Sequence, residues 1–128
     1  MMETILVVED DELSRDALTR RLERCGYRVM SAGDGHEAVE LAQSAPPPDL
    51  ILMDLGLPRL DGWTATRYLK AVPATQAIPI IIVSAHVSGA DRQAALAAGG
   101  DDLDTKPLQF EGLVLKINEL LKKRAQAG

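Results

Sequence analysis

The chain holds one cysteine, one tryptophan and one phenylalanine in 128 residues. The lone Cys25 excludes an internal disulfide, and no CxxC or Cys/His spacing is present for a zinc site. Cys25 itself reads as a semi-buried helix residue. A basic excess is missing too: 14 Lys and Arg stand against 19 Asp and Glu, a net charge of -5. Neutralising the phosphates of a nucleic acid needs clustered Lys and Arg, so this domain is expected to bind no nucleic acid. No apolar run nears the roughly 18 residues of a membrane span. Met1-Met2-Glu3-Thr4 lacks the charged start and apolar stretch of a signal peptide. The expectation is a cytoplasmic protein without a membrane partner. Gly33-Asp34-Gly35 looks like part of a phosphate loop, but the third glycine and the Gly-Lys-Ser/Thr step are absent, which leaves a turn.

Hydrophobic residues make up 46% of the sequence. In a chain this short they suit one core, so one domain over residues 1–128 is expected, ordered from about residue 4 to about residue 122. Apolar runs alternate with helix-like stretches. Strands are expected at Thr4 to Val8, Tyr27 to Ala32, Asp49 to Asp54, Pro79 to Val83 and Asp102 to Lys106. Pro79-Ile80-Ile81-Ile82-Val83 is apolar on both faces and should be central. The first helix should run from about Leu13 to Cys25. Leu13, Ala17, Leu18, Leu22 and Cys25 would face inward, with Arg15, Arg20, Arg21, Glu23 and Arg24 in water. A short helix with Ala38, Leu41, Ala42 and Ala45 on one face should end at Pro46-Pro47-Pro48. Asp61 or Gly62 should open a helix to about Ala71, and Ser88 should cap one from Gly89 to Ala98. The last helix shows the stripe Phe110, Leu113, Val114, Ile117, Leu120, Leu121, and the tail from Arg124 is expected to fray. Alternating β and α units imply an α/β fold, a parallel sheet with helices on both faces.

Two of the apolar runs end in acid. Ile5-Leu6-Val7-Val8 leads into Glu9-Asp10-Asp11, and Leu50-Ile51-Leu52-Met53 leads into Asp54. Ligands of parallel sheets collect at the carboxyl ends of strands. The strand ends together present Glu9, Asp10, Asp11, Asp54, Ser84 and Lys106. Carboxylates about 4 Å apart repel by about 4 kcal/mol per pair at an effective dielectric near 20, so such a cluster calls for a cation. Oxygen donors alone suit magnesium. Acid, metal, hydroxyl and ammonium together describe phosphoryl chemistry, in which Asp54 attacks while the metal and Lys106 spread the charge.

The strings ILVVEDDE, PDLILMDLGLPRLDG, PIIIVSA and the TKP of DDLDTKPL, in this order and spacing, resemble the receiver domain of two-component response regulators over nearly the whole chain. The resemblance implies a (βα)5 flavodoxin-like three-layer sandwich around a central five-stranded parallel sheet. It implies that Asp54 accepts a phosphoryl group from a histidine kinase or histidine phosphotransfer protein. Magnesium would be held by Glu9, Asp10, Asp54 and the backbone carbonyl of Gly56, with manganese as a possible substitute. Asp11 would lie one step outside the metal's ligands. Ser84 matches the switch hydroxyl, Lys106 the lysine that pairs with the phosphoryl group, and the Lys106-Pro107 bond is expected to be cis. His36 should be a surface residue at a helix start. His86 matches a position at the mouth of the site that would modulate phosphoryl lifetime. Phosphorylation would change a face made by the fourth helix, fifth strand and fifth helix, through which a downstream protein is regulated. Such a chain is a phosphoryl acceptor rather than an enzyme with a turned-over substrate.

Leu103 departs from the family pattern, which often has Tyr or Phe three positions before the lysine. Asp104 is unusual in a strand near the centre of a sheet and is expected to point to solvent or to a partner. Leu108 stands where an aromatic often follows the proline. Trp63 should be a partly buried anchoring ring, or a partner-facing one if exposed. Two other functions fit parts of the pattern. A haloacid-dehalogenase-type phosphatase also uses an aspartate after an apolar strand, but Gly56 stands where its second aspartate belongs. A pseudo-receiver would bind partners without phosphorylation, against the intact set of acids, Ser84 and Lys106.

Overall fold

Strands pair side by side in parallel, in the order β2-β1-β3-β4-β5. The computed structural model describes residues 2–55, 61–84 and 89–127. The elements are β1 (Thr4–Val8), α1 (Glu12–Arg24), β2 (Arg28–Ala32), α2 (Gly35–Ala42), β3 (Leu50–Asp54), α3 (Gly62–Ala71), β4 (Ile80–Ser84), α4 (Gly89–Ala97), β5 (Asp102–Thr105) and α5 (Phe110–Ala127). Successive side chains of a strand point to opposite faces, and here they feed two cores. Leu6, Val8, Ile51, Met53, Ile80 and Ile82 face α2, α3 and α4 through Ala38, Ala42, Ala65, Leu69 and Ala95. Ile5, Val7, Leu50, Leu52 and Ile81 face Leu22 of α1 and Leu113, Ile117 and Leu121 of α5. Both faces of the sheet are therefore covered, as a parallel sheet requires.

The three loops that leave β1, β2 and β3 end alike. Asp11, Asp34 and Asp61 are the N-caps of α1, α2 and α3, and their carboxylates accept from the N–H groups of Ser14, Glu37 and Thr64. Gly26 closes α1 with φ of 94°, a conformation that suits glycine. The Ser88 cap expected for α4 lies outside the described residues. Lys106-Pro107 is cis, as expected, and so is Ala45-Pro46. Among the described residues no helix is long and apolar enough to cross a membrane.

Four expectations need correction. The inward stripe of α1 was phased wrongly. Leu13 is 80% exposed while Leu22 is fully buried. Nine residues at 3.6 per turn put the two about 180° apart. Ala17 and Cys25 are exposed, and Leu18 and Arg15 are half-buried on the Leu22 side. Second, β3 is the middle strand, β4 is interior, and β5 lies at the edge rather than near the centre. Third, Asp104 is half-buried on that edge, accepting from the Thr105 N–H at 2.9 Å with Lys116 Nζ at 3.8 Å. A polar residue on an edge strand can reach an adjoining helix, so its position is not anomalous. Fourth, the last helix does not end near residue 122. The helix continues to Ala127, and Arg124 Nη1 donates to the Asp49 carbonyl at 2.7 Å.

Candidate functional site

Strand register brings the two acidic runs level. Val8 of β1 pairs with Met53 of β3, so the residues that follow, Glu9 and Asp54, emerge side by side at the carboxyl end of the sheet. Both are nearly buried, at 8% and 7% exposure. Asp10 is exposed, yet one carboxylate oxygen from each of Glu9, Asp10 and Asp54 lies within 4.8 Å of the other two. β4 and β5 supply the other side. Lys106 follows β5, and its backbone N–H donates to the Ser84 carbonyl at 2.8 Å. Its Nζ lies 2.9 Å from Asp54 Oδ2 and 3.2 Å from Glu9 Oε1.

Among the described residues one ammonium thus bridges two of the three carboxylates, and the electrostatics reflect that. Burial, then the Asp54 carboxyl beside it, push Glu9 up from 4.5 to about 7, against the lowering pull of Lys106. Burial alone would lower Lys106, but hydrogen bonds and charge attraction from Asp54 and Glu9 outweigh it and hold the ammonium above its ordinary value. Glu9 Oε2 is buried without a hydrogen-bond partner. A buried acceptor left without a donor is costly. An orphaned oxygen inside a set made only of carboxylates fits a hard cation that takes oxygen ligands.

Surrounding residues shape this corner. Asp11 turns away from the cluster to cap α1, taking both the N–H and the hydroxyl of Ser14, at 2.9 and 2.6 Å. Leu108, Pro107, Leu18, Val7 and Leu52 line a cavity of about 210 Å³ that reaches Glu9, Asp54 and Lys106. Leu103 is 4% exposed and packs into the core face shared with Ala95 of α4. Trp63 is half-buried against the same core, as an anchoring ring would be, and His36 is exposed at the start of α2. Ser84 is half-buried at the end of β4. Gly56 and His86 lie outside the described residues.

Two contributors were missed in the sequence. Arg15, assigned to water, donates from Nη1 to the Glu9 carbonyl at 2.8 Å. Gly62 lies directly under the tip of β3. A β-carbon there would overlap the Asp54 carbonyl oxygen and stand 2.9 Å from Leu55 Cα. The Asp61-Gly62 pair was visible as a helix start; the close approach was not.

The family model for the response regulator receiver domain matches residues 5–118. The chain belongs to the response regulator receiver family. Receiver domains are the phosphorelay modules of two-component signalling, and the fold seen here is that of the family. The response regulator MprA of Mycolicibacterium vanbaalenii is 40% identical over 93% of this chain and 50% of its own length. The chain therefore spans about half the length of the curated relatives it matches. A response regulator of Chloroflexus aurantiacus superposes with a TM-score of 0.89 at 30% identity, covering 95% of this chain and 99% of that one. The receiver domain of the sensor histidine kinase PA1611 of Pseudomonas aeruginosa superposes with a TM-score of 0.86 at 34% identity, covering 95% and 99%. That structure carries a magnesium ion in its active-site cleft.

Proposed function

We propose that Asp54 accepts a phosphoryl group from a phosphohistidine of a histidine kinase or a histidine phosphotransfer protein. The observation that carries this reading is the bridge from Lys106 Nζ to both Asp54 and Glu9, with a Glu9 oxygen left over. Lys106 pairs with the Asp54 carboxylate, which is the nucleophile in this reading. An Asp54 oxygen forms the new bond to phosphorus as the phosphorus–nitrogen bond of the donor breaks. The electron pair of that bond stays on the imidazole nitrogen, which takes up a proton. Lys106, already at the Asp54 carboxylate, then pairs with the phosphoryl oxygens. The Ser84 hydroxyl, at the end of the neighbouring strand, is suited to donate to one of them.

Glu9, Asp10 and Asp54 would hold magnesium, with the Gly56 carbonyl as a further ligand, and manganese would substitute. When bound, the ion neutralises charge on the transferring group. The chain would act as one receiver unit that is itself the acceptor, not an enzyme with a separate product. Its output would be a change on the face of α4, β5 and α5, read by a downstream protein.

Intact mass after incubation with acetyl phosphate and magnesium tests this. The wild-type chain should gain one phosphate and Asp54→Asn none. A wild type that gains nothing would leave a pseudo-receiver as the better reading, and an Asp54→Asn chain that gains as much would remove Asp54 as the acceptor. Steady turnover of a phosphoester would favour the phosphatase.

A further inference from the structure

Asp10 poses a problem that Glu9 and Asp54 do not. Those two are buried, so packing restrains them, whereas Asp10 is exposed. An exposed side chain stays near its neighbours only if its backbone is held. The carbonyl of Glu9 belongs to the peptide that joins Glu9 to Asp10, and Arg15 Nη1 donates to it at 2.8 Å. The guanidinium reaches this carbonyl over Gly33, where a β-carbon would stand 3.4 Å from Nη1. The turn on either side is tied as well: the Glu9 N–H to Ala32 O at 3.0 Å, and the Arg15 N–H to Asp11 O at 2.9 Å. Arg15 holds the peptide between these ties.

We infer that Arg15 is a positioning residue of the metal site: it fixes the Glu9–Asp10 peptide so that the Asp10 carboxylate stays within reach of the Glu9 and Asp54 oxygens. The inference rests on the magnesium reading above. It can be told from a plain charge effect by sign. A guanidinium near a cation site opposes the cation by Coulomb repulsion, so if charge were its only role, removing it would tighten magnesium binding. If it positions Asp10, removing it weakens binding.

Magnesium titration of the full chain by calorimetry separates these. Arg15→Met should weaken the magnesium Kd about tenfold. Arg15→Lys should recover most of the loss, because an ammonium still donates to a carbonyl although without the guanidinium fork. Arg124→Met removes the same kind of bond, to the Asp49 carbonyl at 2.7 Å, from the other end of the sheet, and should stay within about twofold of wild type. Arg15→Met binding as tightly as wild type, or tighter, overturns the inference. So does an equal loss in Arg124→Met, which would mark general destabilisation, or no recovery in Arg15→Lys. A wild type that binds no magnesium refutes the metal reading and this inference with it; normal wild-type binding with an unchanged Arg15→Met refutes the inference alone.

Discussion

The two ends of the sheet handle acid in opposite ways. At the amino ends of the strands two acids, Asp101 and Asp49, each have a cation and a backbone donor. Asp101 Oδ2 takes Lys70 Nζ and the Ile80 N–H, both at 2.8 Å. Asp49 takes the Thr4 N–H at 2.7 Å and lies 3.4 Å from Arg124 Nη1. At the carboxyl ends, Glu9 and Asp54 share Lys106, Asp10 lies beside them, and one oxygen of Glu9 has no donor. At the amino end Asp49 and Asp101 are matched and tie loops and helices to the sheet. The other end keeps an excess of negative charge that the fold tolerates and that a ligand can relieve. Functional sites are where a sequence departs from local consistency.

The largest expected effect attacks the packing beneath the carboxyl end. Gly62→Ala forces a β-carbon into the Asp54 carbonyl and Leu55. Since backbone rather than a flexible side chain blocks it, a loss of about 3 kcal/mol is expected, read by urea unfolding. Magnesium binding should fail in parallel, because the strand tip must move. A stability within error of wild type would show that the approach is looser than described.

A smaller pair of effects should have opposite signs. Asp101→Ala leaves the N–H of the fully buried Ile80 without its partner and should cost about 2 kcal/mol. Glu9→Gln removes one of the crowded charges and should stabilise the metal-free chain at pH 8 by on the order of 1 kcal/mol. Thermal unfolding of both variants without divalent cations checks this. Destabilisation by both would erase the contrast between the two ends.

Much of this was legible in the residues. Short apolar runs announced the strands, and Asp11, Asp34 and Asp61 marked helix starts because a cap is a local event. The acids and Ser84 stand out because each follows an apolar run, Lys106 because it precedes a proline at the end of an expected strand, and register does bring Glu9 and Asp54 together. What escaped depends on tertiary placement. The phase of α1 was misjudged because a leucine at position 13 mimics the apolar stripe although it lies opposite Leu22. The edge position of β5 follows from strand pairing, which no single run encodes. A helix pattern places Arg15 in water because nothing in it distinguishes an arginine that bends back to a carbonyl. Leu103 was flagged as a departure, and it lies buried in the core against α4, so any signal passing through it must repack that core rather than swing an exposed ring.

The central claim is that, among the described residues, the acids at the carboxyl end of the sheet outnumber the cations, and Glu9 supplies the pH signature of that crowding. Its folded value of about 7 lies above its ordinary 4.5. Between those values the folded chain binds the proton more tightly than the unfolded chain. Its contribution to stability is therefore full below about pH 4.5 and is lost as pH rises through about 7. A bound cation favours the ionised form and restores what was lost, by about 2.7 kcal/mol at a hundred times its Kd. The decisive measurement is the unfolding midpoint at pH 5 and pH 8, with and without magnesium. The account predicts a clear rise on adding magnesium at pH 8 and a much smaller one at pH 5. An equal shift at both pH values, or none at pH 8, would contradict it.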